Sequence, residues 1–176
     1  MNETQEKQVA MHKDFFDRCQ TAIESEFYME ALLMEYAAME SRLEIILGVS
    51  GLPCNKNLTP EMRKDIKITH RLRCLENMVK KSPLFETSKL DKTFFQKADT
   101  WIKARNQYVH GLYKNEWLYE QRKDDAGKLA ENGLILCKLL YNEARRLRRV
   151  VKNRAELLNE TAACRSKGCK LYRAVL

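Results

Sequence analysis

The chain has 176 residues, with 32 Lys/Arg against 24 Asp/Glu and a formal net charge of +8. That length suits one domain with a proper core and is too short for two, while 44% apolar and 32% charged residues fit a soluble helical protein. No apolar run approaches the ~20 residues needed to span a bilayer, and six Gly with three Pro predict long regular elements joined by short connections.

The first residues, Met1 to Lys7, are polar and acidic, unlike a signal peptide, so a cytoplasmic location is expected. Val9, Phe15/Phe16, Cys19 and Ile23 then recur at helical spacing and predict a helix over about 3–25. Phe27, Ala31, Met34, Ala38, Leu43, Ile46 and Leu47 predict a second over about 26–48, which could be continuous with the first because no Gly or Pro separates them. Gly48 to Asn57 reads as a break. Thr59-Pro60-Glu61 carries the signature of a helix start, predicting a helix from Thr59 to about Lys81. Ser82-Pro83 ends it. Asp91 is positioned to cap the next helix, whose apolar stripe runs through Phe94/Phe95, Ala98, Trp101/Ile102, Tyr108/Val109 and Leu112, with Gly111 as the expected residue past its end. A last helical region is expected from about 116 to 160, bent or broken around Asp124-Asp125-Ala126-Gly127. The reading is thus an all-α, up-and-down bundle of four to five helices in one domain, 1–160, with a basic C-terminal tail, 161–176.

The charge is uneven. Residues 138–176 hold eleven Lys/Arg and three Asp/Glu, which accounts for the whole net charge. Arg145, Arg148, Arg149 and Lys152 border the last apolar stripe there, and with Lys103 they are candidates for binding RNA phosphates, though a charge run is as readily a solvated face. Six cysteines are present. Cys19, Cys74 and Cys137 fall within helical patterns, and Cys164 and Cys169 lack a nearby His, so zinc-ligand spacing is absent and all six are expected as reduced thiols. His12 and His70 read as ordinary helix histidines.

The stretch that draws chemical notice is Asp99 to Tyr113. Arg105 falls on the apolar stripe, where an arginine must be paired, snorkel or face a cleft. Glu35, Glu40 and Glu44 of the second helix are possible partners, with Glu40 nearest the apolar edge. Asn106 and His110 are four residues apart and lie one above the other. Chemistry alone leaves two readings open: a structural ion pair with a histidine answering the helix dipole, or a site.

The string Arg105-Asn106-Gln107-Tyr108-Val109-His110-Gly111 resembles the signature of HEPN domains, all-α bundles marked by an Arg, a polar residue, three more residues and a His near a helix end. The resemblance implies a HEPN-like bundle, a two-fold dimer, and a metal-independent endoribonuclease that needs no cofactor. It implies that Arg105, Asn106 and His110 are catalytic. His110 would move the proton of the ribose 2′-OH or of the leaving group, Arg105 would hold the phosphate with its planar fork, and Asn106 would orient one of them. Family members serve as toxins or phage-defence effectors, so an antitoxin or defence-system partner is expected beside RNA; others are non-catalytic nucleotide- or RNA-binding modules, or partner a nucleotidyltransferase. One toxin branch has Tyr two residues after the His, where this chain has Leu112, with Tyr113 one later. Trp101, Tyr108, Tyr113 and Trp117 could stack bases, although Trp101 and Tyr108 fit the core better.

Overall fold

Among the residues described by the computed structural model, 3–50, 67–112 and 122–166, the apolar stripes form five α-helices and one 3₁₀ turn. They are α1 (Glu3–Glu24), α2 (Tyr28–Val49), α3 (Ile68–Lys81), the turn Pro83–Phe85, α4 (Lys92–Leu112) and α5 (Lys123–Ser166). No strand occurs among the described residues, and none of their helices is long and apolar enough to cross a membrane.

α1 and α2 are separate helices. The break lies at Glu26, which adopts φ 62°, while the amides of Glu26 and Phe27 donate to the carbonyls of Ile23 (3.0 Å) and Ala22 (2.8 Å). That pair of bonds is a Schellman closure with glutamate where glycine is usual, so the stop is invisible to a search for Gly or Pro. α3 begins later than its sequence implied: Lys67 is extended (φ −57°, ψ 141°), and the β-branched Ile68 and Thr69 open the helix. Thr59 and Pro60 lie outside the described residues.

Three further expectations are corrected. Gly111 is not the residue past the end of α4, because the helix continues through Leu112. No break falls at Asp124–Gly127: α5 starts at Lys123 and is helical through that stretch for 44 residues, roughly 66 Å at 1.5 Å per residue. Gly127 serves close packing instead: a Cβ there would stand 3.1 Å from the Tyr28 ring. Cys74 is disulfide-bonded, so the six cysteines are not all reduced, while Cys19 and Cys137 are free and buried.

α2 and α5 run parallel, since Tyr28 meets Gly127 and Arg42 meets Tyr141. α4 runs against them, since Arg146 reaches the Leu84 carbonyl just ahead of α4 and Trp101 donates to the Leu129 carbonyl. The core fills the space between with Leu32, Met39, Leu43 and Ile46 of α2, Ile102 of α4, and Leu140 and Leu147 of α5, all 0% exposed.

One polar group lies at the centre of this packing. Glu35 is fully buried and neither carboxyl oxygen has a hydrogen-bond partner. Its carboxyl lies against Gly133 and beside Trp101, whose ring would be 2.7 Å from any Cβ on Gly133. A bare carboxylate is too costly in such a place, so burial holds Glu35 protonated and pushes its pKa up to about 9. The same burial, reinforced by Glu35, pushes the Cys19 thiol up to about 12.

Two outcomes follow from this packing. Gly133→Ala forces its methyl into the Trp101 ring and the Glu35 carboxyl, and should lower stability by about 1–3 kcal/mol in denaturant titration. For Glu35, folded and unfolded chains both carry the proton below pH 4.5; from there to about pH 9 only the folded chain keeps it. Stability should therefore fall as pH rises through that window, by up to about 1.4 kcal/mol per pH unit, and Glu35→Gln should flatten the profile.

Candidate functional site

α4 is set in place at its start and at its middle. Asp91 caps it by accepting the Phe94 amide at 2.8 Å, as its position ahead of the stripe implied. Ten residues on, Trp101 Nε1 donates to the Leu129 carbonyl at 2.8 Å, fixing the register of α4 on α5. Trp101 and Tyr108 are 3% and 6% exposed, so both belong to the core and neither is a free stacking platform. Tyr113 and Trp117 lie outside the described residues.

One turn after Trp101, the Arg105 guanidinium lies over the Tyr36 ring, 4.4 Å from its centroid, and donates to Asn106 Oδ1 at 3.1 Å. None of the three glutamates considered for it takes that position. Glu40 and Glu44 flank the buried Arg71 at 3.7 and 3.8 Å, and Glu35 is turned into the core. Tyr36 thus supports the arginine through its π face, a cation–π contact. Burial raises the pKa of Tyr36, and Glu40 raises it further, against the lowering charges of Arg105 and Arg71.

His110 is exposed, one turn beyond Asn106. Lys103, Asn106 and His110, at i, i+3 and i+7, share one solvent-facing strip. Arg105 itself points about 140° around the helix from His110 at 100° per residue, and its bond to Asn106 draws the fork toward that strip. Lys103 is ion-paired to Asp99 at 2.6 Å. The amide of Asn106 thus lies between Arg105 and His110, bonded to the Arg105 fork on one side and sharing a helix strip with the His110 imidazole on the other.

The other candidates are not part of this group. Arg145, Arg148, Arg149 and Lys152 are exposed on α5. Because α4 runs against α5 from the Trp101–Leu129 contact, they lie roughly 38–48 Å along the bundle from His110 at 1.5 Å per residue. The basic run thus marks the opposite end of the molecule. Sequence reasoning missed Tyr36 and Arg71 as parts of the Arg105 surroundings, and no local signal marks them, since the contact joins residues 69 positions apart in the case of Tyr36 and Arg105. Among the described residues, no cluster of three or more His, Cys, Asp or Glu could hold a metal ion.

Compared with protein-family models, with characterised proteins and with solved structures, the chain has no match.

The Tyr36–Arg105 contact is measurable apart from any activity. Tyr36→Leu should lower stability by about 0.5–2 kcal/mol and Tyr36→Phe much less. A double-mutant cycle with Arg105→Met should return a coupling energy of the same order; a coupling near zero would remove the ring from the site.

Proposed function

We propose that this protein is a HEPN-like, metal-independent endoribonuclease that cuts single-stranded RNA. The observation that carries the reading is the Arg105 fork held over Tyr36 and bonded to Asn106, one turn from the exposed His110. In the reaction the ribose 2′-oxygen attacks the adjacent phosphorus and its proton passes to an imidazole. The P–O5′ bond breaks, the leaving oxygen takes up a proton, and a 2′,3′-cyclic phosphate remains. Arg105 offsets charge building on the non-bridging oxygens, Asn106 orients the phosphate or the histidine, and Lys103 adds a cation beside them.

In-line displacement places the attacking and leaving oxygens on opposite sides of phosphorus, so one histidine is poorly placed to serve both. A homodimer that brings two Arg105/His110 surfaces to one cleft supplies the second group, with the two-fold geometry usual for such assemblies. Arg149 and Lys152 would touch only strands long enough to follow α5, adding salt-dependent affinity without sequence preference. Within a cell the reading fits a cytoplasmic toxin or defence effector restrained by an antitoxin or defence-system partner.

A non-catalytic RNA- or nucleotide-binding module is the second reading. It draws on the half-buried state of Arg105, whose fork already engages Tyr36 and Asn106 within the fold.

The deciding experiment incubates wild type, His110→Ala and Arg105→Ala with labelled single-stranded RNA in EDTA. Wild type should leave 2′,3′-cyclic phosphate ends, and each variant should lose at least about a hundredfold in rate, the scale of general acid–base catalysis. Binding that weakens with salt, without cleavage, would favour the module. Equal cleavage by wild type and variants would remove both residues from the chemistry.

A further inference from the structure

The side of α4 turned away from His110 borders an open groove against α5, which the nuclease reading does not use. Lys97, on that side, stands about 140° around the helix from His110 at 100° per residue, and Thr93, Thr100 and Ala104 share its strip along the groove. The groove holds about 650 Å³ and is floored by Phe94, Trp101, Leu129, Leu136 and Leu139. Ile135 stands on its α5 wall 56% exposed, a large apolar side chain left to water. From Thr93 to Ala104 on α4 and from Leu129 to Leu139 on α5 the walls run roughly 15–17 Å, the length of about three helical turns.

The charge along this groove is one-sided. Its charged lining is Lys89, Lys97 and Asp91, and Asp91 already accepts the Phe94 amide as the cap of α4. Among the described residues neither lysine forms an ion pair. Lys128 shares the strip of Asn132 and Ile135, at i, i+4 and i+7, and adds an exposed cation on the α5 side. An apolar floor flanked by lysines fits a ligand with one apolar side and acidic flanks. A groove between two helices takes such a ligand as a helix, and no strand among the described residues offers an edge to an extended one. A second copy of the chain fits poorly, because a two-fold contact on this face would bring two basic rims together. RNA would answer the lysines and not the floor: Phe94 and Trp101 are each 3% exposed, so neither presents a free ring face to a base.

We propose that the α4–α5 groove docks an acidic amphipathic helix of a partner protein, its apolar side on Phe94, Trp101 and Ile135 and its carboxylates on Lys89 and Lys97. The docking surface lies apart from the Lys103–Asn106–His110 strip, and it is independent of whether that strip serves RNA cleavage.

The test is a fluorescence anisotropy titration of the full chain against labelled synthetic helices of about 14 residues, the span of the groove. It is run at about 150 mM salt, where exposed charges more than ~8 Å apart are largely screened. The first peptide carries leucines at i, i+4 and i+7 with glutamates on both flanks; the second has the same composition with the leucines spread around the helix; the third has lysines for the glutamates. The first should saturate one site per chain, and the second should bind at least about tenfold more weakly. Ile135→Glu, at an exposed position that leaves the fold intact, should weaken the first peptide about tenfold. Lys97→Glu should weaken the first peptide to a similar degree and strengthen the third. Arg149→Glu, on the basic run of α5 outside the groove, should bind the first peptide like wild type. The proposal is overturned if the first two peptides bind alike, or if Arg149→Glu costs as much as Lys97→Glu, since either result reduces binding to net charge. It is overturned equally if Ile135→Glu converts a dimer to a monomer in sedimentation velocity, which puts a second copy in the groove, or if single-stranded RNA competes the first peptide off and loses affinity in Ile135→Glu.

Discussion

The fold turns on a carboxyl group kept uncharged. Glu35 of α2, Gly133 and Cys137 of α5, Trp101 of α4 and Cys19 of α1 meet at one level of the bundle. Because Gly133 has no side chain, Trp101 and the Glu35 carboxyl can both lie against the backbone of α5. Because the tryptophan bonds the Leu129 carbonyl, α4 cannot slide or rotate without breaking that bond. Cys137 adds a thiol bond to the Glu35 carbonyl at 3.2 Å. Such a buried acid without partners is a costly element in a core, and it makes the stability of the whole bundle answer to pH.

The position of Arg105 is a consequence of that constraint. It sits one turn beyond Trp101, and Tyr36 follows Glu35 directly in α2. With α4 held in register by Trp101, the long Arg105 side chain reaches along α2 to the Tyr36 ring. The π face of the tyrosine steadies the guanidinium. Glu40 and Glu44 of the same helix are turned to Arg71 instead.

The basic residues divide by the same geometry. Antiparallel packing of α4 on α5 sends His110 toward the start of α5 and leaves Arg145, Arg148, Arg149 and Lys152 near the level where the core ends at Leu147. Net charge therefore says little about the Arg105 surface. It describes a separate cationic stretch of α5.

The sequence by itself determined the all-α class, the Asp91 cap, the buried stripe of α4, the place of Arg105 on it and that of His110 beside it, because each rests on contacts within three or four residues, where side-chain spacing and helix geometry suffice. It misled where a local sign has a nonlocal cause. Gly127 looked like a break and is a close contact with Tyr28; Gly111 looked like an end and lies within the helix; Glu26 showed no sign and is the stop between α1 and α2. Only the tertiary structure decided that Arg105 rests on Tyr36 and that Glu35 is uncharged. Those outcomes depend on which helix faces meet and in what register, and that is settled by packing across the core between residues tens of positions apart.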